Sequence, residues 1–316
     1  SSNYKLDGGT HTFNVTKKDI TFSGSRVYDG TTTVTSSDLV TNDTTSGETL
    51  AFSGSGTVSS ANVQNNQSIT LGSIAIADGS GGGLASNYNL TTGTFDISQK
   101  WVSVGGQKIY DATTTVSSSD LEVTGEVTGE SISITGTGSV TDKNVGSGKT
   151  IDISGLSLSD GSHSASNYTI GTTSFAITRR NLSISGEKVY DGTGTVLASQ
   201  IDTVNTAGGE TLTISGEGSV SLPSVGTNKS ISLNTLGISN GTNGTIGSAS
   251  NYTLDSGSFD ITTKPITLLG SRQYDGTTDA ASSDLTLIGQ VSGESISITG
   301  TGSVTDKNVG AGKTIN

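Results

Sequence analysis

The sequence contains no cysteine, no methionine and only 2 prolines in 316 residues. Without cysteine there is no disulfide framework and no thiol chemistry. The same absence suits a large exported chain, which then avoids premature oxidation before it crosses a secretion pore. Without methionine, the sequence is expected to be an internal piece of a longer chain. It opens on the tail of one repeat, at Ser2, Asn3 and Tyr4, and stops inside another, at Lys313 to Asn316. Positive charge is scarce: 16 Lys and Arg stand against 28 Asp and Glu, for a net charge of −12. Nucleic acids and anionic membrane surfaces both select basic footprints, so neither is an expected partner. No apolar run approaches the roughly 18 residues of a spanning helix, and membrane insertion by helices is not expected. The 2 histidines, His11 and His163, do not recur, so no repeated Ser-His-Asp set can form. Aromatics at 5% and hydrophobics at 30% are too sparse for one large core and suit several thin ones. Helix formers are thinly spread, whereas Thr favours strands and Ser, Gly, Asn and Asp favour turns.

What the sequence does have is a period. Tyr-Asp-Gly, once Tyr-Asp-Ala, places tyrosines at Tyr28, Tyr110, Tyr190 and Tyr274, spaced 82, 80 and 84 residues apart. Ser-Asn-Tyr supplies the other four: Tyr4, Tyr88, Tyr168 and Tyr252. Such regularity identifies a tandem array. The segment from Gly129 to Ile151 matches Gly293 to Ile315 at every position except Ser147 against Ala311, as recent duplication produces. Within each repeat, apolar residues alternate with polar ones, as in Phe95/Ile97, Val102/Val104, Ile20/Phe22, Leu182/Ile184 and Ile266/Leu268. A period of two marks strands with one buried face.

The expected architecture is all-β: a head-to-tail array of small β-sandwich-like modules of about 80 residues, each with seven or eight short strands. Residues 1–18 would hold the closing strands of a preceding repeat. Complete modules would span 19–99, 100–180 and 181–264, with a truncated module at 265–316. The alternative is a β-grasp-like module, which needs a helix. Its one candidate is the segment from Ser117 to Leu121, where a single helical turn is expected. The last strand of each module runs almost directly into the first strand of the next, through pairs such as Gln99-Lys100 and Arg179-Arg180. So short a junction predicts a semi-rigid rod and not a flexible tether.

Few residues suggest chemistry. Asp29, Asp111, Asp191 and Asp275 of Tyr-Asp-Gly, with Asp78 and Asp160 of later Asp-Gly pairs, are the calcium candidates. The preferred reading makes them turn residues, because Asp caps its own backbone and Gly supplies positive φ. No second acid sits at a ligand-like spacing, and Asn240 replaces the acid in the third repeat. No cofactor is therefore expected. Ala112 in place of Gly weakens any strict demand for positive φ. Glu48, Glu130, Glu210 and Glu294 recur after Gly and read as solvated single charges at turns. Tyr28, Tyr110, Tyr190, Tyr274, Tyr88, Tyr168 and Tyr252 read as structural residues explained by core packing. Lys149, Lys229 and Lys313 align as candidates for a Lys–Asn cross-link, but Gln67 stands there in the first repeat. Trp101 takes a position held by Asp19, Asn181 and Pro265 elsewhere and is expected to be partly exposed. Several Asn-x-Ser/Thr sequences permit glycosylation of a secreted chain.

The combination Lys-x-Tyr-Asp-Gly (Lys188 to Gly192), Gly-x-Gly-Ser-Val (Gly136 to Val140), Asn-Val-Gly and Ala-Ser-Asn-Tyr resembles the YDG-type repeat, itself related to MBG-type modules of very large bacterial surface proteins. The resemblance covers essentially the whole chain and departs at Ala112, Arg26 and Arg272. It implies stalk or filament modules of a filamentous-haemagglutinin-like adhesin, exported by two-partner secretion and acting in adhesion and biofilm. It carries no catalytic residues, so no enzyme is expected. The location implied is extracellular, at a bacterial surface or in a biofilm matrix. The implied partners are neighbouring repeats of the same longer chain, with surface glycans or a second copy of the chain as alternatives.

Overall fold

Most alternating runs become strands where the period of two places them, although Ile266, paired in the sequence with Leu268, is exposed and lies just outside the strand Thr267–Gly270. A computed structural model describes residues 3–316. The first repeat is built from β1 (Lys18–Val27), β2 (Thr33–Thr35), β3 (Leu39–Thr41), β4 (Leu50–Ser53), β5 (Ser55–Thr57), β6 (Gln64–Ser68), β7 (Ala75–Asp78) and β8 (Tyr88–Ser98). One mixed sheet has the order β3-β1-β8-β6, with β1 and β8 parallel at its centre and antiparallel strands on either side. Parallel neighbours need a long crossover, and the body of the repeat supplies it. That crossover carries the antiparallel pairs β2–β5 and β4–β7. Phe22, Phe95, Ile97, Val34 and Ile74 fill the space between the layers, and the Phe22 ring lies 5.6 Å from that of Phe52.

The second and third repeats reuse this plan, and the fourth shows two antiparallel pairs, Thr267–Gly270 with Leu285–Ile288 and Asp279–Ala281 with Thr301–Ser303. In the second, Leu121–Thr124, Lys100–Ile109, Tyr168–Thr178 and Gly146–Lys149 form a sheet in the order just given for their counterparts. In the third, Gly226–Ser232 pairs with Tyr252–Thr262 on one side and Glu217–Val220 on the other, which joins the two layers along one edge. Ile184, Val196, Ile231, Phe259 and Ile261 form its core. The helical segments among the described residues are short 3₁₀ turns. One is Ser118–Asp120, at the expected place, so the helix of the β-grasp alternative is missing there. A second turn, at Ala85–Asn87, Ala165–Asn167 and Ala249–Asn251, was not expected from the sequence.

Two junctions are a single residue long: Gln99 alone separates Ser98 from the strand beginning at Lys100, and Arg179 alone separates Thr178 from Arg180; in the third, residues 263–266 separate Thr262 from Thr267. The stretch 1–18 differs from expectation. Residues 1 and 2 lie outside the described residues, and no strand forms between residue 3 and β1, where Phe13 and Val15 are exposed. A closing strand such as β8 bonds to partners on both sides, and the chain contains no such partners for residues 11–15.

The chain divides into two compact units. The first contains the first repeat and most of the second, including Thr114–Asp142 and Gly146–Ile177. The second contains Thr178–Asn316 together with Ile109–Thr113 and Lys143–Val145. Those two short segments are the Tyr-Asp and Asn-Val motifs of the second repeat.

Candidate functional site at the repeat junctions

The motifs that recur most faithfully meet where one repeat follows another. In the first unit, Tyr28 leaves the end of β1 and donates its hydroxyl to Glu130 Oε1 of the next repeat at 2.8 Å. Tyr168, the Ser-Asn-Tyr tyrosine of that next repeat, donates to Glu130 Oε2 at 2.5 Å and accepts the Val127 N–H at 3.2 Å. The two rings meet edge to face, 5.4 Å apart at 79°, a favoured aromatic geometry. Within the second unit, Tyr110 and Tyr252 donate to opposite oxygens of Glu210 at 2.8 and 2.7 Å, and their rings also lie 5.4 Å apart. There Lys143 adds a third donor to Glu210 at 2.6 Å.

The asparagine of Ser-Asn-Tyr makes a second tie. Asn167 Oδ1 accepts the Val63 N–H at 2.9 Å, and its amide donates to Asn62 Oδ1 at 2.9 Å. Asn251 repeats this with Val145 N–H at 2.9 Å and Asn144 Oδ1 at 3.0 Å. The junction residues themselves bond across as well. Gln99 Nε2 donates to the carbonyls of Ser166 and Tyr168, and Arg179 Nε donates to that of Ser250.

Glu130 and Glu210 are therefore not the solvated charges the sequence suggested, whereas Glu294 is exposed as expected. Glu210 is 3% exposed. Burial alone would push its carboxyl up, but the hydrogen bonds from Lys143, Tyr252 and Tyr110 outweigh burial and hold it below the ordinary carboxylate range. Burial and then the Glu130 hydrogen bond push the Tyr28 and Tyr168 hydroxyls up to about 12. The same causes, with Glu210 as partner, raise Tyr110 and Tyr252. A signal was present in the sequence. Two buried tyrosine hydroxyls per repeat need an acceptor, and one glutamate per repeat recurs after Gly. Partial versions of the cluster also occur: Tyr88 donates to Glu48, and Tyr190 to Glu294. Tyr274, which no later repeat in the chain follows, is 62% exposed.

The turn at Tyr-Asp-Gly also faces the neighbouring repeat. Gly30 has φ of 78°, and a Cβ there would stand 2.9 Å from Glu130 Oε1 and 3.3 Å from the Val127 side chain. Ala112 was expected to relax the demand for positive φ, yet its φ is 66°. Its methyl is accommodated because the opposing position, filled by Val127 or Val291 at the other junctions, is occupied here by Ala207 and Gly208.

The aspartates serve the turns. Oδ1 of Asp29, Asp111, Asp191 and Asp275 accepts the backbone N–H of the threonine two residues on, each at 2.9 Å. Side-chain cations stand beside these aspartates: Arg26 near Asp29, Lys188 on Asp191 and Arg272 on Asp275. Lys188 Nζ is enclosed by Asp191, by the carbonyl and hydroxyl of Thr193 and by the carbonyl of Thr195. Asp78 and Asp160 accept the N–H of Ala85 and Ala165, and Asn240 does the same for Ala249. A neutral amide replaces the acid there because only an acceptor oxygen is used. Among the described residues no three His, Cys, Asp or Glu come together as a metal site would require. Of the cross-link candidates, Lys149 pairs with Asp142 and Lys313 with Asp306, while Gln67 accepts the Ser60 N–H.

A sequence profile described as the YDG domain matches residues 11–95, 99–175, 178–259 and 261–316. No curated protein matches the chain.

Proposed function

The chain belongs to the YDG domain family, with four members in tandem, and we propose that these repeats are the stalk or filament region of a large secreted or cell-surface bacterial adhesin. In this reading they act in adhesion and biofilm formation, by projecting a binding domain or by building a fibre. The relation to MBG-type modules and the extracellular location belong to the same proposal. The YDG domain is not a known enzyme family, and a stalk needs no catalytic site.

One observation carries the reading. The residues that recur most regularly tie consecutive repeats together. The Tyr28–Glu130–Tyr168 and Tyr110–Glu210–Tyr252 clusters each draw one tyrosine from one repeat and a glutamate and tyrosine from the next. Free rotation at such a junction would strip a buried carboxylate and its hydroxyls of their partners, which costs about 1–3 kcal/mol per unsatisfied group. Adhesion proteins that bind through each repeat would gain from flexible links, whereas a stalk gains from stiff ones.

Small-angle scattering of the full 316-residue chain tests this. A stalk predicts an extended particle of constant cross-section, and Tyr28→Phe combined with Tyr110→Phe should broaden its distance distribution. A collapsed or freely jointed wild-type profile would sink the proposal.

A further inference from the structure

The second repeat differs from its neighbours on one sheet face. Along Lys100–Ile109, Val102 and Val104 are buried, while Trp101 and Ser103 point the other way and are exposed. Trp101, the single tryptophan of the chain, is 74% exposed. Residues two apart on a strand share a face at a separation of about 6.6 Å, so Trp101 stands at the end of whatever surface Ser103 borders. That surface is a shallow cavity of 380 Å³ lined by Ser103, Gly105, Glu122, Thr124, Thr172 and Ser174, among others. Its volume falls at the low end of the roughly 300–1,000 Å³ of small-molecule sites.

The Trp101 ring itself lies over a glycine. A Cβ built at Gly171 would stand 3.1 Å from the Trp101 ring, so one face of the indole rests against that backbone and the other faces solvent. The first repeat has Asp19 and Thr91 at these two positions, and the third has Asn181 and Asp255. Ring and glycine thus occur together in the second repeat alone.

The lining chooses the ligand class. It offers hydroxyls, with Ser103 and Thr172 already 2.7 Å apart, and one carboxylate, Glu122. It holds no lysine or arginine. An open aromatic face attracts the slightly positive C–H edges of an apolar ring face, and hydroxyls with a carboxylate take up sugar hydroxyls. An anionic ligand would meet Glu122 and a chain of net charge −12. We propose that this face of the second repeat binds a neutral glycan, with one pyranose ring stacked on Trp101 and the next running toward Ser103, Thr172 and Glu122. Pyranoses with equatorial substituents present the flat face the indole needs, so β-1,4-linked glucose or N-acetylglucosamine is the expected class. The site stands apart from the stalk reading, which concerns the junctions.

Trp101 is its own reporter. The intact chain would be titrated with cellohexaose, chitohexaose and a heparin hexasaccharide while its fluorescence is followed. A saturable change is expected with at least one of the two neutral oligomers, with a dissociation constant on the order of 0.1–1 mM, and none with the heparin fragment. Gly171→Thr, which installs the first repeat's residue under the ring, should weaken binding about tenfold or more while far-UV circular dichroism stays unchanged. Trp101→Ala, followed by saturation-transfer NMR, should abolish it. The proposal is overturned by any of three results: no saturable response to either neutral oligomer at about 10 mM, binding that survives Trp101→Ala, or preference for the heparin fragment. In the first case the ring serves only to cover Gly171, and Trp101→Ala would lower the unfolding temperature without any effect on ligand.

Discussion

Removing the Glu210 carboxylate should loosen the second unit more than its size suggests. In Glu210→Ala the hydroxyls of Tyr110 and Tyr252 and the ammonium of Lys143 lose one shared acceptor. Both tyrosines are buried, at 0% and 3% exposure. A buried donor left without a partner costs about 1–3 kcal/mol. Lys143 has a 38% exposed side chain and can turn to water, so its share is under about 1 kcal/mol. Water entering the space vacated by the carboxylate would recover part of the loss. The expected net cost is about 2–4 kcal/mol. Tyr110→Phe removes one donor and leaves Tyr252 and Lys143 on the carboxylate, so it should cost about 1–2 kcal/mol.

The decisive quantity is the coupling between these two changes. Once Glu210 is gone, the Tyr110 hydroxyl has lost its acceptor and keeps only its contact with Lys143, so Tyr110→Phe should then cost much less. A coupling energy of about 1 kcal/mol or more is expected for such a contact, against about 0.3–0.5 kcal/mol for independent sites. A multidomain chain does not guarantee two-state melting, so local hydrogen exchange is the better assay. The amides of Val145, bonded to Asn251, and Ala207, bonded to the Tyr252 hydroxyl, report from two sides of the cluster. Loss of protection at both is expected in Glu210→Ala. Additive single and double variants with unchanged protection at these amides would refute the idea that the cluster holds the junction.

The two junction clusters should respond to pH at opposite ends, the Glu130 cluster in alkali and the Glu210 cluster in acid. Tyr28 and Tyr168 have folded values near 12, above the ordinary 10, so their contribution is intact below pH 10 and is lost as pH rises toward 12. For each tyrosine, every tenfold tightening of proton binding on folding contributes at most about 1.4 kcal/mol, and phenolate absorbance followed together with exchange would detect the loss. Glu210 is held below its ordinary range. Its contribution is present above the unfolded value and is lost in acid as pH falls through the folded one; Glu210→Gln should remove that acid limb and leave the alkaline limb. Gly30→Ala should destabilise the first unit by about 1–2 kcal/mol through its positive φ alone, with the close approach of Glu130 adding to this. Ala112→Gly should be neutral or stabilising by up to about 1 kcal/mol; comparable destabilisation by both, in thermal melts, would contradict the account of the turn. Millimolar calcium should leave hydrogen exchange at the Thr31, Thr113, Thr193 and Thr277 amides unchanged, and increased protection there would reinstate a metal role for the aspartates.

Strand positions were legible because burial imposes a period of two on the sequence, and Ile20/Phe22, Phe95/Ile97 and Leu182/Ile184 all lie in the core as read. The one-residue junctions were legible for the same reason, since two alternating runs left no room between them. Three other features were not. The parallel pairing of β1 with β8 joins segments a full repeat apart, and alternation alone is silent on which strands become neighbours. Glu210 looked solvated because a lone acid beside Gly carries no local mark of burial. Its partners are Tyr110, 100 residues before it, and Tyr252, 42 residues after it. Ala112 looked like a relaxed position because the compensating change, Gly208 in place of a larger residue, lies in the next repeat. In each case local periodicity was readable, and what escaped was a contact between segments far apart in the sequence.

The distribution of the motifs follows from that contact. The first and second repeats each present a Tyr-Asp turn and an Asn-Val segment toward the next, which receives them on its glutamate and its Ser-Asn-Tyr segment. The interface is therefore heterologous, head to tail. A residue of the core can drift with its own neighbours, as Phe52 and Ile214 do in corresponding strands, because the adjustment stays within one module. A junction residue answers to a partner in another module, and a change in it must be matched there or leave bonds unsatisfied. The Ala112–Gly208 pair is such a match within a single chain. It accounts for why the tyrosines, the glutamates and the Ser-Asn-Tyr asparagines recur from repeat to repeat.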